Sequence, residues 1–161
     1  MAHIFLSQLK TALNNCLDEL EQIHFLFSRN PETDFTRKRK LTFKEYIQFM
    51  LLMQGKAVSN EILDFFGHSL SAPSKSAFTQ QRYKLLPEGW DFLFHSFVTQ
   101  CRSLSDNLYC GYRLLSCDGS DANIARNPSD ERTFIHEGEK GYNAVHINAL
   151  YDICLLYTSD A

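Results

Sequence analysis

The sequence lacks the features that identify membrane, secreted, zinc-binding and disulfide-rich proteins. No apolar run among its 161 residues approaches the roughly 20 residues that a membrane-spanning helix needs, and the N-terminus lacks the basic and apolar regions of a signal peptide. The five cysteines are scattered and form no Cys-x-x-Cys pair, so neither a zinc site nor a disulfide framework is indicated. We therefore expect a cytoplasmic protein with reduced thiols and no membrane partner.

The chain as a whole also lacks an excess of basic residues. Its net charge of −3 argues by itself against a nucleic-acid-binding protein. The segment from Arg37 to Lys84, however, holds nine basic residues and only three acids, whereas acids outnumber bases from Asp106 onward. This distribution is typical of a polyanion-binding portion joined to one that handles cations, although a solvated charged face explains it equally well.

Helical periodicity dominates the first hundred residues. Five helices are predicted, over residues 3–29, 43–54, 60–66, 75–85 and 87–103. Thr42 and Glu45 have the spacing of a capping box at the start of the second helix, and Gly55 would end that helix. Ser59 is the predicted N-cap of the third helix.

Strand character begins only at Leu108–Cys117 and returns at Tyr142–Tyr151. A run of helices followed by a run of strands predicts an α+β chain with two structural units and a boundary near Ser103–Asn107. No internal repeat is needed to explain the pattern.

The third and fourth helices are candidates for a helix-turn-helix, although their connection of about eight residues is long for that motif. The fourth helix carries residue types that contact phosphates and base edges, and a basic cluster precedes the second helix. The predicted DNA-contacting residues are Arg37, Lys38, Arg39, Lys40, Lys75, Thr79, Gln80, Arg82 and Lys84. An ordinary exposed helix is the alternative interpretation.

Asp118 is the residue most suggestive of chemistry. It follows the apolar run Leu114–Cys117 and precedes Gly119, a pattern typical of a buried strand closed by a turn. We expect Asp118 at the end of that strand, where a rigid backbone can aim its carboxylate at a metal or substrate. Asp-Gly also predicts a simple hairpin turn, and that alternative stays open.

Several segments together resemble DDE transposases of the IS-four type of bacterial insertion sequence. The matching segments are Arg113-Leu114-Leu115, Asp118-Gly119-Ser120-Asp121, Asn127-Pro128, Lys140-Gly141-Tyr142, and Asn148-Ala149-Leu150-Tyr151-Asp152. Weaker matches are Arg39-Lys40-Leu41-Thr42-Phe43 and Ser76-Ala77-Phe78-Thr79-Gln80-Gln81-Arg82. The similarity covers roughly residues 36–153.

The resemblance implies a helical DNA-binding region over 1–105, followed over 106–153 by the first three strands of an RNase H-like catalytic core. Asp118 matches the family's first catalytic, metal-ligating aspartate. The Lys140-Gly141-Tyr142 and His146–Asp152 stretches would be the next two strands. The implied partners are double-stranded DNA at the terminal inverted repeats of the element and, in the parent enzyme, a second copy of the chain.

The implied reaction is DNA cleavage and strand transfer by two Mg²⁺ ions about 4 Å apart, which together need about three carboxylates. The family's second Asp and its Glu lie on later segments, and Asp121 and Asp152 do not match them. We therefore expect a bacterial, cytoplasmic transposase fragment that is inert by itself. The residues 154–161 resemble a translated transposon-end adaptor of sequencing libraries, and we expect them to be an artefact.

Two other functions are consistent with the residues alone. A standalone helical DNA-binding protein, such as a truncated regulator of transposition, would bind the same DNA without cutting it. An unrelated small hydrolase would use Asp118 and His146, although no nucleophile or oxyanion hole is indicated for it.

Overall fold

The computed structural model describes residues 2–36, 40–104 and 108–153. The chain divides into a helical unit, His3–Leu104, and a second unit that contains the strands. The helices are α1 (Ala2–Gln22), α2 (Phe43–Leu52), α3 (Val58–Phe65), α4 (Lys75–Arg82) and α5 (Pro87–Ser103), with a short 3₁₀ helix at His24–Phe27. The strands are β1 (Leu115–Ile124), β2 (Phe134–Ile135) and β3 (Tyr142–Asp152). The α+β class is confirmed, and none of the described helices is long and apolar enough to cross a bilayer.

The first predicted helix is shorter than expected. It ends at Gln22, because the His24 side chain donates from Nδ1 to the carbonyl of Glu21 at 2.7 Å and the chain tightens into the 3₁₀ helix. Ser28 Oγ then donates to the carbonyl of His24 at 2.7 Å. Such side-chain bonds to nearby carbonyls compete with the regular helical ladder.

The capping box of α2 is confirmed. Thr42 Oγ1 accepts a hydrogen bond from the backbone N–H of Glu45 at 3.2 Å, and the Glu45 carboxylate accepts from the backbone N–H of Thr42 at 2.9 Å. The helix ends at Leu52 with Met53 as its C-cap, two residues before the predicted end, and Gly55 follows with a φ of +82°, a conformation that glycine reaches without strain.

Ser59 is not the N-cap of α3, which begins at Val58, two residues earlier than predicted, with Ala57 as its N-cap. The turn before this helix is stabilised instead by the buried Glu61, whose Oε1 accepts from the backbone N–H groups of Gln54 and Lys56 at 2.8 Å each. A carboxylate inside the helix thus satisfies two backbone N–H groups of the segment that leads into it.

The fourth helix also ends early, at Arg82 rather than at residue 85. Beyond it the chain runs beside the segment that follows the 3₁₀ helix, where Arg29 N donates to Lys84 O at 2.7 Å and Leu86 N donates to Phe27 O at 2.8 Å. The helix α5 has the predicted bounds, with Pro87 in its first turn.

Aromatic side chains form much of the core of the helical unit. Phe78 of α4 packs against Tyr46 at 5.5 Å and Phe49 at 4.8 Å between ring centroids, and Phe49 packs in turn against Phe65 at 5.4 Å. Tyr46, Phe49 and Phe78 are all buried. Burial raises the pKa of Tyr46 to about 12, because the phenolate would lose its hydration there.

The second unit is built on one antiparallel sheet with the strand order β1-β3-β2. The strands β1 and β3 pair along ten residues of β1, from Leu115 opposite Asp152 to Ile124 opposite Asn143. The resemblance implied separate strands for Lys140–Tyr142 and His146–Asp152, but a single strand, β3, runs from Tyr142 to Asp152. Large apolar side chains stay exposed on it, including Ile147 at 51% and Leu150 at 72%.

The predicted bounds of the first strand are wrong. A tight turn joins Tyr109 to Tyr112 through two mutual 2.9 Å backbone bonds, with positive φ at Cys110 and Gly111. The strand β1 starts later and continues through Asp118 and Gly119, so Asp118 does not end it and Asp-Gly is not a hairpin turn. Pairing with β3 outweighs the local turn propensity of this dipeptide.

The capping box provides a test of this packing. Replacing Thr42 with Ala removes the acceptor for the Glu45 N–H, and we expect a loss of about 1 kcal/mol in the free energy of unfolding, measured by urea denaturation. Thr79→Ala is the control, because Thr79 Oγ1 bonds only to the carbonyl of Lys75 within α4 at 3.0 Å. Equal losses in the two variants would contradict the capping role.

Candidate functional site

Asp118 lies near the middle of β1, directly opposite Ala149 of β3. Because alternate residues of a strand point to opposite faces, its side chain shares a face with Ser116 and Ser120. It is exposed, and it makes no hydrogen bond or ion pair with any residue that the structure describes. Its carboxylate therefore sits on a rigid strand with its oxygens open to a ligand.

The other face of the same strands carries a polar cluster. His146 Nδ1 lies 2.8 Å from Asp121 Oδ1, directly across the strand pair. The hydrogen bond and charge of Asp121 raise the pKa of His146 above its ordinary value, since both stabilise the imidazolium. A Cβ added at Gly119 would lie 2.9 Å from His146 Nε2, so a side chain at this position would push the exposed imidazole away from its place across β1.

This arrangement separates the carboxylates of the sheet. Asp121 and His146 lie on the face opposite to Asp118, as does Asp152, whose Oδ2 accepts from Arg113 Nη1 at 2.6 Å. Asp118 and His146 therefore cannot act on one substrate from this strand pair, and the hydrolase interpretation loses its only two candidate residues.

Asp118 is the single acidic ligand on its face of β1. Within residues 2–36, 40–104 and 108–153 there is no group of three or more His, Cys, Asp or Glu residues that could hold a metal ion. Two Mg²⁺ ions beside a phosphate need about three carboxylates. The described residues therefore do not form a two-metal centre by themselves.

The outward face of α4 holds the predicted DNA-contacting residues of that helix. Lys75, Thr79 and Arg82 recur at helical spacing and are exposed, and Gln80 is exposed beside them. Phe78 and Gln81 occupy the buried face. Neither Lys75 nor Arg82 forms an ion pair with another residue of the described ranges, so both charges are available to a phosphate.

Lys84 has different surroundings from the other predicted residues. It follows α4, lies half-buried with its Nζ 3.5 Å from Asp34 Oδ1, and sits 5.8 Å from the centre of the Phe35 ring. These contacts give the ammonium group of Lys84 partners within the fold, and its contact with DNA stays a prediction. Lys40 is exposed, whereas the predicted residues Arg37, Lys38 and Arg39 lie outside the residues that the structure describes.

The helix pair α3 and α4 is in contact, but residues 66–74 connect the two helices. This connection is longer than the three or four residues of a standard helix-turn-helix. The pair therefore presents α4 at the surface without reproducing the standard turn.

Sequence patterns missed Asn143, which is 1% exposed and organises the loop before β3. Its Nδ2 donates to Asn127 O at 3.0 Å and to Thr133 Oγ1 at 2.9 Å, and its Oδ1 accepts from Asn127 N at 2.7 Å. A polar residue within a strand usually predicts a solvent-facing position, so no local signal identifies this role.

No protein-family model, curated protein or solved structure matches the chain.

Because Asp121 and Asp118 lie on opposite faces of β1, we expect only Asp121 to raise the pKa of His146. Asp121→Asn should lower the pKa of His146 toward its ordinary value, measured by titrating the ring protons by NMR, because the negative charge beside Nδ1 is lost. Since the pKa is raised in the folded state, this pair stabilises the fold below the ordinary histidine pKa, and its contribution is lost as pH rises through the raised pKa.

Asp118→Asn is the matched control, because it removes the same charge from the opposite face of β1. The pKa of His146 should stay at its unmodified value in this variant. An equal fall in both variants would contradict the assignment of the two faces.

Proposed function

We propose that this chain supplies the DNA-binding unit and the first catalytic carboxylate of a DNA transposase of the IS-four type. The observation that carries the proposal is the exposed face of α4, where Lys75, Thr79 and Arg82 share a surface that no described acid neutralises. The motif resemblance over residues 36–153 adds the expectation that the bound DNA is the end of an insertion sequence.

The α4 face has the chemistry of a duplex-binding helix. The two cations attract the phosphate backbone without sequence preference, and the hydroxyl of Thr79 and the amide of Gln80 are groups that reach base edges or phosphates. On the buried face of the helix, Phe78 packs against two aromatic rings of α2 and fixes the position of α4. A rigid support of this kind reduces the entropy lost on binding.

The role of Asp118 is supported by its position on β1. Its side chain is exposed and flanked on one face by the hydroxyls of Ser116 and Ser120. In the intact transposase Asp118 would ligate Mg²⁺, and the metal would activate the attacking oxygen and stabilise the leaving oxygen at the scissile phosphate. The chain's own contribution is to hold that carboxylate on a paired strand.

A regulator that binds DNA without cutting it is the second candidate. It is favoured by the helical unit, which has its own buried core around Tyr46, Phe49 and Phe78 and so does not need the sheet for its hydrophobic interior. The two functions share the α4 surface and differ only in whether Asp118 is needed.

The salt dependence of DNA binding tests the α4 surface. The double variant Lys75→Ala/Arg82→Ala should reduce the slope of log affinity against log salt for a duplex oligonucleotide by about 1.8, since each lost phosphate contact removes about 0.9. Fluorescence anisotropy at several salt concentrations measures the slope.

The control for lost charge is Lys10→Ala/Arg102→Ala, which removes two exposed cations from α1 and α5. Its slope should equal that of the unmodified chain. Lys84→Ala should also leave the slope unchanged, because Lys84 is paired with Asp34. A slope that falls equally in the α4 double variant and in the control would place the DNA elsewhere.

A transposition assay tests Asp118. In the complete transposase gene, Asp118→Asn should abolish excision of the element, because one metal ligand is lost. Asp121→Asn, on the opposite face of β1, should leave excision measurable. Excision that survives in Asp118→Asn would remove Asp118 from the catalytic role and favour the regulator, and loss in both variants would show an effect that is not specific to Asp118.

A further inference from the structure

We propose that Tyr83 and Arg29 extend the DNA-binding surface of α4 and together bind one phosphate of the duplex backbone at the C-terminal end of that helix. Neither residue belongs to the set that the sequence predicts to contact DNA. This inference rests on the proposed function, because it takes the outer face of α4 as the surface that meets the duplex.

Tyr83 continues the exposed face of α4. It is the C-cap residue of the helix, and its φ of −73° and ψ of −11° are helical angles. At about 3.6 residues per turn, Tyr83 lies about 40° from Thr79 around the helix axis, on the side away from the buried Phe78 and Gln81. The residue is 68% exposed. An aromatic side chain therefore stands on a face that is otherwise formed by polar and cationic residues.

The segment that follows the 3₁₀ helix brings Arg29 to the end of α4. Arg29 N donates to Lys84 O at 2.7 Å, and Ser28 and Leu85 form an antiparallel bridge. Both bridge residues are buried, whereas Arg29 is exposed. Arg29 therefore lies beside the residue that follows Tyr83, although the two are distant in sequence.

The junction between these two segments is firmly held. Leu86 N donates to Phe27 O at 2.8 Å, which adds a second backbone bond beside that of Arg29. Gly89 allows close packing there, since a Cβ at this position would lie 3.0 Å from the Leu85 side chain and 3.2 Å from Phe27 Cβ. The backbone that carries Arg29 is thus ordered before a ligand arrives, which reduces the entropy lost on binding.

The charge of Arg29 is available to a ligand. Arg29 forms no ion pair with any residue of the described ranges. Asp34, the acid that pairs with the neighbouring Lys84, is buried and also accepts from Asn30 N at 3.0 Å. Because Arg82 is also unpaired within those ranges, two guanidinium groups are free at the end of the helix that Tyr83 closes.

A guanidinium group and a phenol match the chemistry of a phosphate diester. An Arg side chain donates a forked pair of hydrogen bonds to phosphate oxygens, and a Tyr hydroxyl is among the groups that donate to the DNA backbone. The C-terminal end of a helix carries a partial negative charge, which would repel an anion. Arg29 and Arg82 together outweigh that partial charge.

The length of the surface favours a DNA duplex over an acidic protein. From Lys75 to Tyr83 the helix rises about 12 Å, at about 1.5 Å per residue. The major groove of DNA is also about 12 Å wide, and a phosphate backbone runs along each of its sides. Cations at the two ends of α4 can therefore meet the two backbones, with Arg29 and Tyr83 on one and Lys75 on the other.

The salt dependence of duplex binding by the full chain tests Arg29. Arg29→Ala should reduce the slope of log affinity against log salt by about 0.9, because one phosphate contact is lost. Arg29→Lys keeps the charge and should retain the slope. Lys10→Ala removes an exposed cation from α1 and is the control, whose slope should equal that of the unmodified chain.

A second variant tests the hydroxyl of Tyr83 apart from its ring. Tyr83→Phe should weaken duplex binding about tenfold at each salt concentration, the loss expected for one hydrogen bond to a charged group. The slope should not change, because no charge is removed. Tyr109→Phe is the matched control, since Tyr109 is 66% exposed and belongs to the second unit, and its affinity should equal that of the unmodified chain.

The Lys75→Ala/Arg82→Ala variant, measured beside these, separates the inference from the proposed function. If its slope falls as expected while Arg29→Ala keeps the full slope or Tyr83→Phe keeps the full affinity, α4 binds DNA without this phosphate contact and the inference is overturned. An equal fall in Arg29→Ala and Lys10→Ala would overturn it as well. If the double variant keeps the full slope, or the chain binds no duplex, the proposed function fails and the inference fails with it.

Discussion

The packing of Phe78 between Tyr46 and Phe49 determines what α4 can present on each side. These ring contacts fix the rotation of the helix about its axis, so that Lys75 and Arg82 face outward. The same rotation directs Gln81 into the interior, where its carboxamide oxygen has no partner among the described residues. The polar outer face of α4 and the burial of Gln81 on its inner side are therefore two results of the packing of Phe78, and a change at Phe78 would disturb both.

The sequence predicted the helical unit well where the signals are local. The capping residues Thr42 and Glu45 and the proline at the start of α5 are each sufficient to set a helix end. The start of α3 was predicted less well, because the helix begins at Val58 without a side-chain cap, and the contact of the Glu61 carboxylate with the backbone N–H groups of Gln54 and Lys56 has no local sequence signal. The pairing of Lys84 with Asp34 was not predicted for a related reason, since it is a contact between segments distant in sequence.

The sheet was harder to predict because its stability comes from pairing between distant residues. Asp118-Gly119 has strong local turn propensity, yet the ladder with β3 keeps both residues extended. The sequence identified Asp118 as a candidate ligand but could not show that Asp121 and His146 lie on the other face. That separation depends on the register of β1 and β3, which only the three-dimensional structure supplies.

Gly119 places a restriction on how this sheet can diverge. A side chain at this position would collide with the imidazole of His146, which lies across β1 and is held there by Asp121. Because this ring is exposed and can turn toward solvent, a larger residue at 119 would displace it from Asp121 rather than change the register of the strands, so substitutions at the two sites are not independent. Among homologous sequences, a residue other than glycine at position 119 should therefore accompany loss of the pair formed by His146 and Asp121.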